Sequence, residues 1–242
     1  MQISNEIRVL QVGTTAYDNT TSHTRTAKYG KISSHRVTDA LSKFGYALNA
    51  VSQSRKYKPG RSEYTKHVMV YTNVNDGGDA DKYRILVFNS HNGTCGLTFK
   101  FGLFRAVCAN GLVVGNSVME PMRIRHTVGN ADKLETYITD FISRITVVLN
   151  SINKLKSVYM TTCDIINFAA EAAKLRGTRA VDLQRLTSPT RYADDVPTVW
   201  NVMNIVQECM VRGGAGYRPL RGEQSMARVS AELWDIAAKY AA

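Results

Sequence analysis

Two Asn-Gly pairs, Asn92-Gly93 and Asn110-Gly111, lie between apolar runs in the middle of this chain. Both residues of such a pair tolerate the positive φ of a type I′ turn. Asn-Gly between alternating apolar segments is therefore the strongest short-range sign of a β-hairpin. A third turn signal, NDGGDAD at 75–81, stands just upstream. The segments between these turns read as strands: KHVMVYTNV (66–74), KYRILVFNS (82–90), TCGLTFKFGLFRAVCA (94–109) and LVVGNSVM (112–119). MRIRHTV after Pro121 is a further candidate, and YALNAVSQSRKYK (46–58), closed by Pro59-Gly60, is one before them. Consecutive hairpins make an antiparallel meander.

The period changes after Gly129. Leu134, Ile138, Phe141, Ile145, Val148, Ile152, Leu155 and Val158 recur at spacings of three and four, which predicts one long amphipathic helix. If unbroken it would run about 40 Å at 1.5 Å per residue. DIINFAAEAAKLRG, TRAVDLQRLTSP, TVWNVMNIVQECMVRGG and SMARVSAELWDIAAKYAA read as further helices. Pro197 marks a start, Gly177 and Gly213-Gly214 mark ends, and Val229, Leu233 and Ile236 share one face of the last helix. Near the N-terminus, Ser33 or Ser34 can cap a helix that carries Val37, Leu41 and Phe44 and ends at Gly45. Residues 14–34 before it read as an extended or partly disordered loop. Strands first and helices second predict an α+β fold: an N-terminal helix plus an antiparallel β-meander, packed with a long helix and a C-terminal helical region. A boundary near Gly129 separates a basic α+β region, 1–129, from a helical region, 130–242. The two are expected to form one compact unit.

The stretch from Ser90 to Leu112 also holds His91, Cys95 and Cys108, so a metal site including His126 can be written on paper. Strand geometry argues against it. If residues 94–108 form one strand, the two cysteines lie roughly 40 Å apart at 3.3 Å per residue. A bulge or kink at Gly102 would shorten this. It would also explain why Leu97, Phe99, Phe101 and Leu103 share one parity and Phe104, Ala106 and Cys108 the other. Neither a CxxC pair nor a G-x-S-x-G elbow, P-loop or G-x-G-x-x-G is present. No catalytic or metal-ligating set is nominated, and no cofactor is implied. Asp194-Asp195, ahead of Pro197, reads as a helix cap.

With 242 residues, 44% hydrophobic and 21% charged, the chain can bury a sizeable core. It has no apolar run long enough for a membrane span, and its start, MQISNEIRVLQVG, lacks the pattern of a secretory signal. Four scattered cysteines fit free thiols in a reducing compartment. A cytoplasmic setting is expected, without a membrane partner.

The net charge is +11, and it is unevenly placed. Residues 1–66 hold 11 Lys and Arg against 4 Asp and Glu, whereas 67–130 and 131–242 each carry only +2. A basic segment on a near-neutral body points to a polyanion. Within it, SQSRKYKPGRSEYTKH interleaves Arg55, Lys56, Lys58, Arg61 and Lys66 with Tyr57 and Tyr64. Cations for phosphates and aromatic rings for bases are what single-strand binding requires. TRTAKYGK adds Arg25, Lys28, Tyr29 and Lys31, and RIRH adds Arg123, Arg125 and His126. The glycine-rich RGGAGYRPLRG offers Arg212, Arg218 and Arg221 as a phosphate cradle, with Tyr217 to stack on a base. The plainer reading of such residues is solvated strand edges and a basic inter-helix loop.

Three stretches also resemble a family. Asn89–Thr94 (NSHNGT), Phe101–Leu112 (FGLFRAVCANGL) and Arg123–Thr127 (RIRHT) look like the signature of the phage- and plasmid-encoded domain of unknown function 932. Phe101 stands where leucine is commoner. The likeness extends over most of residues 30–214. It implies a mobile-element origin and a host cytoplasm, but no established activity. The order helix, meander, long helix is similar at fold level to single-strand annealing proteins. The combined expectation is a non-enzymatic protein that binds single-stranded DNA in replication or recombination, by annealing or protection, as a homo-oligomer. The alternatives are an inhibitor that binds a host protein, and a metal-dependent nuclease using His91 or His126.

Overall fold

The computed structural model describes residues 27–53, 66–74, 81–91, 95–105, 119–177, 181–190, 194–220 and 223–242. Five strands form one antiparallel sheet in the order β1-β2-β3-β4-β5: β1 Tyr46–Gln53, β2 His67–Asn73, β3 Asp81–Asn89, β4 Leu97–Arg105 and β5 Met122–Ile124. Sequence neighbours are sheet neighbours throughout, as a meander requires. The helices are α1 Ser34–Ser42, α2 Val128–Asp132, α3 Leu134–Ser157, α4 Thr162–Ala173, α5 Leu183–Thr187, α6 Val199–Arg212 and α7 Glu223–Tyr240. The protein is α+β.

Contacts divide the chain into two compact units. One comprises Met1–Leu112 and Pro121–Arg144, the other Val113–Glu120 and Ile145–Ala242. The division falls inside α3, later in the chain than the change of period at Gly129. Along α3, Leu134, Ile138, Phe141, Ile145, Val148, Ile152 and Leu155 are all buried.

In the first unit, alternation puts Met69, Tyr71, Ile85, Val87, Phe99 and Phe101 on one face of the sheet, all nearly inaccessible. Phe141 of α3 meets Phe99 there at 5.4 Å between ring centroids. Thr38 of α1 hydrogen-bonds the Tyr71 hydroxyl at 2.9 Å. Helix α1 begins where Ser33 accepts from the His35 N–H, and it buries Val37 and Leu41. Phe44 lies beyond its last turn and is exposed, because the chain has already turned toward Gly45, whose φ is +77°.

The register of β3 with β4 runs through Gly102 without a shift: Tyr83 faces Leu103, Arg84 faces Gly102 and Ile85 faces Phe101. The bulge expected at Gly102 is therefore absent. Among the described pairings the irregularity lies in β1, between Leu48 and Ala50. Ala106 and Cys108, which suggested the shift of parity, lie outside the described residues. Gln53 ends β1, and the predicted strand at 112–119 lies mostly outside the described residues.

In the second unit, Thr161 caps α4 through a capping box with Asp164: Asp164 N–H donates to Thr161 Oγ1, and Thr161 N–H donates to the Asp164 carboxylate. Helix α6 is capped by Thr198, which accepts from Asn201 N–H. Asp194-Asp195 is thus not the cap, because the helix starts only at Val199 and Asp194 is itself buried. Trp200 and Trp234 meet edge to face at 6.3 Å inside this unit, and Val229, Leu233 and Ile236 are buried together. The expected long helix is α3, unbroken from Leu134 to Ser157, and Lys133 separates it from the short α2 that precedes it. No described helix is long and apolar enough to cross a membrane.

Candidate nucleic-acid interface

One end of the sheet is built from unusual material. His67 opens β2, Asn89 closes β3 opposite it, and His91 and His126 follow β3 and β5 closely. His67, Asn89, Ser90 and His91 are at most 1% exposed, and His126 is 9% exposed. Burying this much polar surface is costly unless the groups are satisfied, and they are tied to one another. The His67 and His91 rings lie 5.1 Å apart. Ser34 Oγ is 3.3 Å from His67 Nε2. Asn89 donates to the Ile32 carbonyl and accepts from Ser90 N–H. The Tyr29 ring lies tilted against His126 at 5.5 Å between centroids, and its hydroxyl donates to the His91 carbonyl.

His126 differs from the others. Neither of its ring nitrogens has a hydrogen-bond partner among the described residues. Burial, and then the neighbouring His91, lower its pKa to about 4, with a small opposing effect from the Gly30 backbone. The imidazole is neutral at physiological pH.

These contacts dock the segment 29–32 on the sheet. Tyr29 forms a β-bridge with Thr127, and Gly30 N–H donates to the His126 carbonyl. The approach is so close that a Cβ at Gly30 would lie 2.4 Å from the Thr127 carbonyl carbon. Only glycine fits there.

Of the Ser90–Leu112 stretch, Ser90, His91 and 95–105 are described, while Asn92-Gly93 and Asn110-Gly111 lie outside the described residues. Ser90 Oγ donates to the Cys95 carbonyl and accepts from Cys95 N–H, closing the chain where β3 passes into antiparallel β4. Ser90 supplies turn chemistry. Cys95 is a half-buried free thiol, and Cys108 lies outside the described residues. Among the described residues no group of three or more His, Cys, Asp or Glu is placed to hold a metal ion.

The buried cluster carries a cationic rim. Lys28 precedes docked Tyr29, Lys31 precedes Ile32, Lys66 precedes His67, Arg123 lies in β5 and Arg125 follows it. Lys28, Lys66, Arg123 and Arg125 are exposed, and Lys31 is half-buried. Three basic stretches separated in sequence thus meet around one end of the sheet. The segments that bear them, 27–36, 66–73 and 121–131, contain no Asp or Glu. Of the other predicted contacts in this unit, Arg25, Arg55, Lys56, Tyr57, Lys58, Arg61 and Tyr64 lie outside the described residues.

Sequence reasoning missed three neighbours. On the sheet face away from Phe99, register places Arg123 beside Thr98, Thr98 beside Phe88, and Lys100 beside Leu86. The Lys100 ammonium lies 5.4 Å from the Phe88 ring centroid, and Arg84 stands one pair further along the same face. Strand parity was the available signal, since Lys100 and Arg84 occupy the outward positions of otherwise apolar strands.

In the second unit, Arg212 pairs with Glu208 at 2.7 Å and Arg218 is exposed, while Arg221 lies outside the described residues. Tyr217 is only 9% exposed. Its hydroxyl donates to the Ala173 carbonyl, and the Arg176 guanidinium lies 5.0 Å from its ring centroid. Burial raises its pKa, and Arg176 partly offsets this. The ring packs within the unit and does not present an open stacking face.

Comparison with known sequences agrees with this framework of motifs. The model of the domain of unknown function 932 (DUF932) matches residues 22–234, so the chain belongs to that family. It is 27% identical to UPF0380 protein YafZ of Escherichia coli (strain K12) over 207 residues, which is 84% of this chain and 76% of that protein. UPF0380 protein YfjQ of the same strain is 26% identical over the same shares. No solved structure matches.

Proposed function

We propose that this protein binds single-stranded nucleic acid, DNA first, through the cationic end of its sheet, and that it serves replication or recombination of a mobile element without being an enzyme. One observation carries the reading: Lys28, Lys31, Lys66, Arg123 and Arg125 come from three separate stretches and surround one buried cluster. Cations gathered from three segments in this way offer a favourable surface to phosphates. Lys100, Arg84 and Phe88 on the adjoining sheet face supply further charge and an aromatic ring. The buried histidines act as the mount. Their contacts fix the segments that bear the rim, and His126, with its pKa lowered to about 4, adds no repulsion to it. Among the described strands β1 pairs only with β2, which leaves an edge through which copies can assemble.

The test is a mobility-shift titration with single- and double-stranded oligonucleotides at two salt concentrations. Five phosphate contacts give a salt slope of about −3.5 on a single strand, so affinity should fall about a hundredfold between 50 and 200 mM salt. No binding at low salt overturns the proposal.

A further inference from the structure

Arg176 ends the short 3-10 turn Lys174–Arg176 that follows α4. Its Nη1 donates to two carbonyls, Met210 at 2.6 Å and Arg218 at 2.9 Å. The first closes the last turn of α6, and the second holds the loop beyond it. The guanidinium also lies over the buried Tyr217 ring. It is fixed from three sides, it is half-buried, and it has no carboxylate partner among the described residues. A guanidinium cannot shed its charge, and it carries five N–H donors, of which Nη1 makes the bonds seen here.

Arg176, Gly216, Tyr217 and Arg218 line a hollow of about 330 Å³ that opens to solvent. The loop enters it with φ of +92° at Gly213, +155° at Gly214, +51° at Ala215 and +96° at Gly216. The strained value at Ala215 is held by Asp182 N–H, which donates to the Ala215 carbonyl, and by the Gly214–Tyr217 bridge. No described group accepts from the Gly216 N–H. A pre-set guanidinium, a second arginine free to swing in, and an unengaged amide all border one cavity.

We propose that this hollow binds a phosphate group, with Arg176 as its fixed donor and Arg218 as its closing one. The site stands apart from the sheet-end reading, since none of its residues belongs to that surface. A phosphate fits better than a carboxylate. Its oxygens spread in three dimensions, so donors from Arg176, Arg218 and Gly216 can each find an acceptor, whereas a planar carboxylate is satisfied by a single arginine.

Inorganic pyrophosphate titrated calorimetrically into the full chain at low ionic strength should give saturable binding at one site per chain. Arg218→Gln should weaken it about tenfold, the usual effect of losing one charge-assisted bond, and Arg218→Glu should abolish it. Arg218 is exposed, so both variants should retain the wild-type melting temperature, and either alone suffices for the test. Oligonucleotides with and without a 5′-phosphate then compete for the site. Competition by both names a phosphodiester strand, competition by the phosphorylated one alone names a strand end, and competition by neither names a free phosphate compound. Each of these supports the site. Absence of saturable pyrophosphate binding, or equal affinity in Arg218→Glu, overturns it.

Discussion

The two units bury polar groups by opposite means. In the first, the imidazoles of His67, His91 and His126 lie buried beneath an exposed cationic rim, and burial holds His126 well below its ordinary pKa. In the second, Arg176 keeps its charge and is wrapped by two carbonyls and a tyrosine. The difference follows from proton chemistry. Histidine titrates near neutrality and can release its proton to enter the core, whereas arginine cannot. The first solution makes a mount sensitive to acid. The second makes a clasp indifferent to pH and ready for an anion.

The comparison breaks most easily at Gly30. Gly30→Ala should cost about 3 kcal/mol or more, or prevent folding, because the added methyl meets the Thr127 backbone, which cannot yield cheaply. Gly129→Ala is its control. Nothing lies within 4 Å of a Cβ there, so denaturation should show no loss.

Acid sharpens the contrast. His126 has a folded pKa of about 4 against an ordinary 6.5. A depressed histidine pKa means that the unfolded chain takes up the proton first. Stability should therefore hold above about pH 6.5 and fall as pH drops toward 4, by about 3 kcal/mol at most. His126→Phe should flatten that part of the urea-denaturation pH profile, with the slope rather than the offset as readout. Arg176→Met should cost about 2 kcal/mol by freeing the Met210 and Arg218 carbonyls, and this cost should be the same at pH 5 and pH 8.

The smallest effect belongs to the surface. Lys43 and Glu135 pair at 2.9 Å with side chains 60% and 68% exposed. Lys43→Ala should change stability by less than about 0.5 kcal/mol, and still less in high salt.

These regions were not equally legible in the sequence. Alternation sufficed for the strands of the meander, because each buries one face and register then leaves little choice. The stripe on α3 was equally plain, since every residue in it from Leu134 to Leu155 is buried. The cap at Thr198 was not foreseen, because Asp194-Asp195 offered equally good local chemistry. Proximity was the harder matter. Lys28, Lys66 and Arg125 were each nominated from their own stretch, but only the bonds from Tyr29, Asn89 and Gly30 bring them together. His67 drew no attention in the sequence and sits at the centre of the cluster. Tyr217 looked like a stacking ring beside arginines, yet its partner is Arg176, which lies far from it in sequence and which sequence reasoning passed over.

A phosphate-binding sheet end, as proposed, differs from a merely solvated one in how its affinity for a polyanion responds to salt. The most direct measurement is single-stranded DNA affinity as a function of salt for wild-type protein and the Lys66→Glu/Arg125→Glu double variant. Both residues are exposed, so folding should be unchanged. The account predicts at least a tenfold loss of affinity at 50 mM salt, and a salt slope shallower by about 1.4 for the two lost contacts. Equal affinity and equal slope in the two proteins would contradict it.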